Sequence, residues 1–118
     1  MSLAVMLSAP PTGRIRRSPE FSSVLGRGRK LSGTRMVLYV LPEGETLRVG
    51  FICGRGVGRA VARNRARRLL REAFRALSTK ARPGFSVVLM ARPEIRGASM
   101  GEVQEDMARL MAAGGVIE

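Results

Sequence analysis

Residues 58–77 read GRAVARNRARRLLREAFRAL, with arginine at 59, 63, 65, 67, 68, 71 and 75 against the one acid Glu72. At about 100° per residue, a helix divides this stretch into two arcs. Ala62, Ala66, Leu69, Leu70, Ala73, Ala76 and Leu77 share one arc, with Phe74 at its margin. Asn64, Arg67, Arg68, Arg71 and Arg75 share the opposite arc. The apolar arc needs a core to pack on. The basic arc, rising about 1.5 Å per residue, spaces its cations along a line that a polyanion backbone follows. A solvated helix face usually mixes signs in i,i+4 pairs, whereas these like charges repel one another. A merely solvated face is therefore the poorer reading, and the neutralising charge comes from outside the chain.

Composition agrees. The chain has 118 residues, 45% of them apolar, with four Phe, one Tyr and no Trp, which predicts one domain with an aliphatic core. Its formal charge is +12, carried by 19 Arg and only 2 Lys. Arginine presents a planar fork that bonds phosphate bidentately and stacks on bases, so the balance points to nucleic acid. Residues 14–96 hold 20 basic and 5 acidic groups (net +15), and residues 97–118 hold 1 and 4 (net −3). The polyanion is thus expected on the first four-fifths of the chain, with the last segment completing the fold.

Several classes are excluded or disfavoured. The single cysteine, Cys53, rules out an intramolecular disulfide and suits a reducing compartment. It reads as a small buried apolar residue with only Arg55 nearby. The absence of histidine removes His-dependent metal sites and Ser–His or Cys–His catalysis. The acids are few and scattered, so no carboxylate pair converges and no catalytic residue or metal site is expected in the protein. No apolar run approaches the roughly 20 residues of a membrane helix. The opening MSLAVMLSAP lacks the basic start and the length of a signal peptide. The expected location is cytoplasmic, with no membrane partner.

Outward from the arginine stretch, the chain alternates helices and strands. Residues 1–13 end in Pro10-Pro11-Thr12-Gly13 and read as a flexible N-terminal extension, leaving 14–118 as the domain. Arg14, Arg16 and Arg17 form a basic arm. Ser18-Pro19-Glu20 then reads as N-cap, first helical position and dipole-facing acid. Phe21, Val24 and Leu25 give that short helix an apolar face, and Gly26 and Gly28 end it. Arg35–Leu41 (RMVLYVL) predicts a strand, Pro42-Glu43-Gly44-Glu45 a turn, and Leu47–Cys53 (LRVGFIC) a returning hairpin partner. Ala81-Arg82-Pro83-Gly84 breaks the basic helix, and Phe85–Ala91 (FSVVLMA) predicts a third strand. Ser99-Met100-Gly101-Glu102 is a capping box opening a last helix, along which Val103, Met107, Leu110 and Met111 recur at helical spacing. Methionine there reads as core filler. The sum is an α+β two-layer sandwich of order α-β-β-α-β-α, with room for one extra short strand and with the arginine helix in a crossover.

The glycine-rich stretch Gly54-Arg55-Gly56-Val57-Gly58 partly matches two nucleotide motifs. A dinucleotide fingerprint needs a third glycine where Arg59 stands, and a P-loop needs Gly-Lys-Ser/Thr where Gly58-Arg59-Ala60 stands. Both fail, so no nucleotide cofactor is expected. These glycines better serve to bring backbone N–H groups and Arg55 to a phosphate at the helix start. Asn64 is either a tolerated surface residue or, as donor and acceptor at once, a reader of a base edge or 2′-hydroxyl. Phe21 and Tyr39 are core aromatics or, on an open sheet face, stacking platforms.

With Arg63-Asn64-Arg65 followed by Arg67-Arg68-Leu69-Leu70-Arg71-Glu72-Ala73-Phe74-Arg75, the chain resembles the protein subunit of bacterial ribonuclease P. Arg14 with Phe21, the strand Val37–Val40, RVGF at 48–51, VGRAVARNR at 57–65 and Ala91-Arg92-Pro93 follow in that family's order, over roughly residues 14–113. The resemblance implies a domain that binds ribonuclease P RNA through Arg59, Arg63, Asn64, Arg65, Arg67, Arg68 and Arg71. It also implies a cleft for the 5′ leader of precursor tRNA at Phe21, Leu25, Tyr39, Ile52 and Arg55. The RNA, holding Mg²⁺, would carry out the hydrolysis, and the protein would lower the Mg²⁺ requirement. A left-handed crossover around the arginine helix is implied as well. Leu25 stands where a second aromatic is common, Ile52 and Gly54 where small hydroxyl residues are, and Gly56 where a second basic residue is. The rivals are a small basic ribosomal RNA-binding protein and a DNA-binding regulator with the arginine helix in a major groove.

Overall fold

The computed structural model describes residues 13–14 and 19–118, with side chains from Phe21 onward. In chain order the elements are β1 (Gly13–Arg14), α1 (Pro19–Arg27), β2 (Arg29–Ser32), β3 (Met36–Pro42), β4 (Leu47–Ile52), α2 (Ala60–Leu77), β5 (Phe85–Ala91) and α3 (Met100–Ala113). Short 3-10 turns occupy Arg55–Val57, Ser78–Lys80 and Pro93–Ile95. The strands form one mixed sheet in the order β1-β4-β5-β3-β2. The extra short strand allowed for by the sequence is β2, and the two-residue β1 adds a further edge. Ser18, Arg16, Arg17 and residues 1–12 lie outside the described residues.

One expectation is corrected. β3 and β4 are not a hairpin: β5 lies between them, antiparallel to β3 and parallel to β4. The reason lies in β5 itself, where Val87, Val88 and Leu89 are all fully buried. A strand apolar on both faces is most stable at the sheet centre, with a neighbour on each side and cover on both faces. The turn after β3 therefore arches over the start of β5. Glu43 N–H donates to the Gly84 carbonyl at 3.0 Å, and Gly84 N–H donates to the Thr46 carbonyl at 3.2 Å. Parallel neighbours β4 and β5 then need a crossover, and α2 is that crossover.

The main core fills one side of the sheet. Met36, Leu38 and Val40 of β3, Leu47 and Val49 of β4, and Val87, Leu89 and Ala91 of β5 meet Leu70, Ala73, Phe74, Met107 and Met111 of α2 and α3. Phe74 sits at the centre of this core, fully buried and edge-on to Phe51 at 6.2 Å, rather than at the margin. Ala76, assigned to the apolar arc by periodicity, is exposed. The edge contact with Phe51 of β4 holds Phe74 inward. α3 is fixed at its start by the capping box, with Glu102 N–H donating to Ser99 Oγ at 3.1 Å and Ser99 N–H to Glu102 Oε1 at 2.9 Å. At mid-length it is held by buried Asp106, which accepts the Arg35 N–H at 2.9 Å and a bond from Arg109. Side chains one residue out of phase point to the other face. There α1 packs through Val24 on Leu41 and Val88.

Candidate nucleic-acid interface

The interface begins where the chain leaves β4. The 3-10 turn Arg55–Val57 buries Val57, and Gly58 follows at φ 136°, a backbone that side-chain-bearing residues rarely adopt. Arg59 is the N-cap of α2, without a side-chain capping bond, and the first turn carries no acid. The positive end of the helix dipole therefore faces solvent with Arg59 beside it and no carboxylate to offset either, which is the electrostatic signature of an anion site.

Along α2 the sequence-predicted contacts separate into three lines. Asn64, Arg68, Arg71 and Arg75 are exposed along the ridge furthest from the sheet. Arg63 and Arg67 lie on the flank above Cys53 at the end of β4. Burial pushes the Cys53 thiol up, and the nearby positive charges of Arg67, Arg71 and Arg63 partly oppose that shift. Arg65 lies on the other flank, towards the segment ahead of α3.

Arg63, Arg65 and Arg67 are anchored by hydrogen bonds. Arg63 Nη1 donates to the Gly58 carbonyl at 2.9 Å, Arg65 Nη2 to the Ala98 carbonyl at 3.0 Å, and Arg67 Nη1 to Asn64 Oδ1 at 3.0 Å. Asn64 itself is exposed beside this bond. Such bonds fix guanidinium planes before any partner arrives and reduce the entropy lost on binding.

The second group of predicted residues meets on the opposite face. Phe21 and Leu25 of α1, Tyr39 of β3 and Ile52 of β4 are half-buried around Val24, Leu41 and Val88. Lys30, an exposed lysine, stands directly opposite Tyr39 in the β2–β3 register. Arg55 does not join this cluster; it stands exposed in the turn between the end of β4 and α2. Sequence reasoning missed Lys30, Val61 and Arg96. Val61 is 82% exposed on α2. The Arg96 guanidinium lies against Gly58, 3.4 Å from where a Cβ there would be. The exposed position of Val61 on the helix was readable from its periodicity, but the approach of Arg96 to Gly58 had no local signal.

A mixed sheet with an arginine-studded helix on one side and a half-open aromatic cleft on the other defines a small RNA-binding α+β protein. The ribonuclease P family profile matches residues 9–113. The chain belongs to the ribonuclease P protein family. A ribonuclease P protein component from Shouchella clausii is 41% identical over 100 residues, covering 83% of this chain and 82% of its own. One from Symbiobacterium thermophilum is 36% identical over 107 residues, covering 89% and 93%. The ribonuclease P protein of Thermotoga maritima superposes with TM-score 0.77 at 25% identity, covering 85% of this chain and 96% of that one. That of Staphylococcus aureus gives TM-score 0.80 at 20% identity, over 89% and 97%, a likeness of fold alone.

Membership gives the role: the protein subunit of ribonuclease P, an endoribonuclease of tRNA processing, with ribonuclease P RNA as its partner. The ribosomal reading is set aside. Among the described residues, no helix is long and apolar enough to cross a membrane.

Proposed function

We propose that α2 docks on ribonuclease P RNA through Arg59, Asn64, Arg68 and Arg71, with Arg63, Arg65 and Arg67 adding charge from positions their own hydrogen bonds maintain. The observation that carries this is the exposed row on α2, which has no acid in its first turn and only Glu72 along its length. Arginine forks neutralise phosphates and release their counterions.

The 5′ leader of precursor tRNA is assigned to the cleft between α1 and the sheet. Phe21, Leu25, Tyr39 and Ile52 offer a surface on which unpaired nucleotides stack, Lys30 stands at its side, and Arg55 extends the positive charge towards α2. Among the described residues, no three His, Cys, Asp or Glu side chains come together as metal ligands. In this reading Mg²⁺ is held mainly by the RNA, and the protein's part is to supply fixed positive charge that lessens the demand for free cations. The single cysteine, which suits a reducing compartment, supports a cytoplasmic assembly.

The test is reconstitution of this chain with a bacterial ribonuclease P RNA and precursor tRNA at low Mg²⁺. The expected result is RNA-dependent leader release, stimulated by the protein and returned towards the RNA-alone rate by raising salt. A protein that binds the RNA but never stimulates cleavage at any Mg²⁺ concentration would refute the reading.

A further inference from the structure

β2 is an edge strand of 4 residues, Arg29-Lys30-Leu31-Ser32, exposed everywhere except at the half-buried Leu31. Only Leu31, against the main core, prefers one face of the sheet. A strand so polar specifies its own register weakly, and a slip of one residue sends every side chain to the other face. In the observed register Lys30 stands opposite Tyr39 of the cleft face, and Leu31 stands opposite Leu38 of the core face. A slip would exchange the two. The register is therefore fixed largely from outside β2.

The turn into β3 is where that happens. Gly33 N–H donates to the Met36 carbonyl at 2.8 Å, and the Gly33 carbonyl accepts from Arg92 Nη1 at 3.2 Å. Arg35 N–H donates to Asp106 Oδ2 at 2.9 Å, and the Arg35 carbonyl accepts from the Arg92 N–H at 3.0 Å. Asp106 is the one buried acid among the described residues, 1% exposed, and its Oδ1 accepts from Arg109 Nη2. A buried carboxylate is costly to desolvate, and an apolar residue on α3 would serve stability as well; the attested use of such a group is to fix a register. The fit is close. A Cβ added to Gly33 would lie 2.8 Å from Leu110 Cδ1 and 3.0 Å from Asp106 Oδ2.

We propose that Asp106 is a positioning residue for leader binding: by holding the Arg35 N–H it fixes the register of β2 and keeps Lys30 on the face of the sheet that carries Tyr39. The proposal rests on the assignment of the 5′ leader to that cleft. A residue of α3, on the core side of the sheet, thereby acts on substrate at the opposite face through a turn and a strand. Asparagine is the informative replacement. It has one acceptor oxygen where Asp106 uses two, so it cannot serve both the Arg35 N–H and Arg109.

The test is binding of precursor and mature tRNA to the reconstituted holoenzyme. Asp106→Asn should weaken precursor binding about threefold and leave mature tRNA unchanged, as should Lys30→Ala. The double variant should be no worse than Lys30→Ala alone, because a lysine on the wrong face and an absent one are equivalent. Gly33→Ala, which pushes the turn off α3, reaches the same loss by a second route should Asp106→Asn fold poorly. Ser99→Ala weakens the start of α3 without touching the turn, so it serves as the stability control and should bind both tRNAs as wild type does. A Ser32→Cys/Val37→Cys disulfide across a facing pair of the two strands, in a Cys53→Ala background, should restore precursor binding to Asp106→Asn. Equal losses for the two tRNAs, additivity with Lys30→Ala, or no rescue by the disulfide overturns the proposal. If Lys30→Ala and Tyr39→Ala discriminate between the tRNAs while Asp106→Asn and Gly33→Ala do not, this inference alone fails. If none of the four discriminates, the cleft reading fails and takes the inference with it.

Discussion

Arg65 Nη2 donates to the carbonyl oxygen of Ala98 at 3.0 Å, tying the middle of the arginine helix to the residue that precedes the N-cap of α3. Arg68, less than one turn further along, is exposed and makes no intramolecular hydrogen bond or ion pair among the described residues. The two should therefore separate in experiment. Arg65→Ala is expected to cost about 1–2 kcal/mol of stability through the lost charged hydrogen bond. Arg68→Ala should stay within about 0.5 kcal/mol of wild type. Both should weaken binding to ribonuclease P RNA, and Arg68→Ala should lower the salt slope by about 1. Denaturant unfolding alongside RNA binding reads both quantities, and equal stability losses would contradict the division.

The cleft has its own signature. Tyr39→Ala removes the aromatic residue opposite Lys30 while leaving α2 untouched. Precursor tRNA with its leader should bind the holoenzyme about five- to tenfold more weakly, whereas mature tRNA should bind as before. A competition assay with the two tRNAs measures this, and parallel losses for both would remove the leader from the cleft.

Gly58 controls the approach of two arginines to the start of α2. Its carbonyl accepts from Arg63, its φ is 136°, and an added Cβ would sit 3.0 Å from the Ala62 Cβ and 3.4 Å from Arg96 Nη1. Gly58→Ala is therefore expected to cost about 1–3 kcal/mol and to displace Arg96. Thermal unfolding and RNA affinity should fall together, and a variant as stable as wild type would show that the loop adopts another backbone.

The α3 capping box makes one region sensitive to acid. Glu102 is held below the usual carboxylate range by its bond from the Ser99 backbone N–H and by the charge of Arg35, with which it pairs at 3.5 Å. A carboxyl whose folded-state value is depressed contributes stability that is complete above its unfolded value and is lost as pH falls through the folded one. The protection factors of amides in the first turn of α3, exchange rates corrected for their intrinsic pH dependence, should therefore fall below about pH 4.5. Glu102→Gln should flatten that dependence, and an unchanged profile in the variant would assign the acid response elsewhere.

Much of this protein was legible in its residues. The arginine row, the apolar arc from Ala66 to Leu77 and the capping box at Ser99 and Glu102 are local patterns, set by a period of 3.6 and by interactions within one turn. Strand character was equally local: Val87, Val88 and Leu89 are apolar whichever strand lies beside them. Pairing was not local. Whether β4 joins β3 or β5 depends on which arrangement buries both faces of β5, a property of the whole sheet. Phe74 moved from margin to core for the same reason, since Phe51 waited on β4 to receive it.

Charge and periodicity by themselves determined that one helix of this chain must meet a polyanion, because seven arginines and one acid cannot be reconciled within an isolated helix. Only the tertiary structure decided what surrounds that helix. It placed Arg96 beside Gly58, Ala98 within reach of Arg65, and Lys30 opposite Tyr39, all between segments distant in the chain or on separate strands. Helix and cap energies are summed over neighbours in sequence, whereas a pocket or a cleft exists only after the sheet has brought separate segments within a few ångströms.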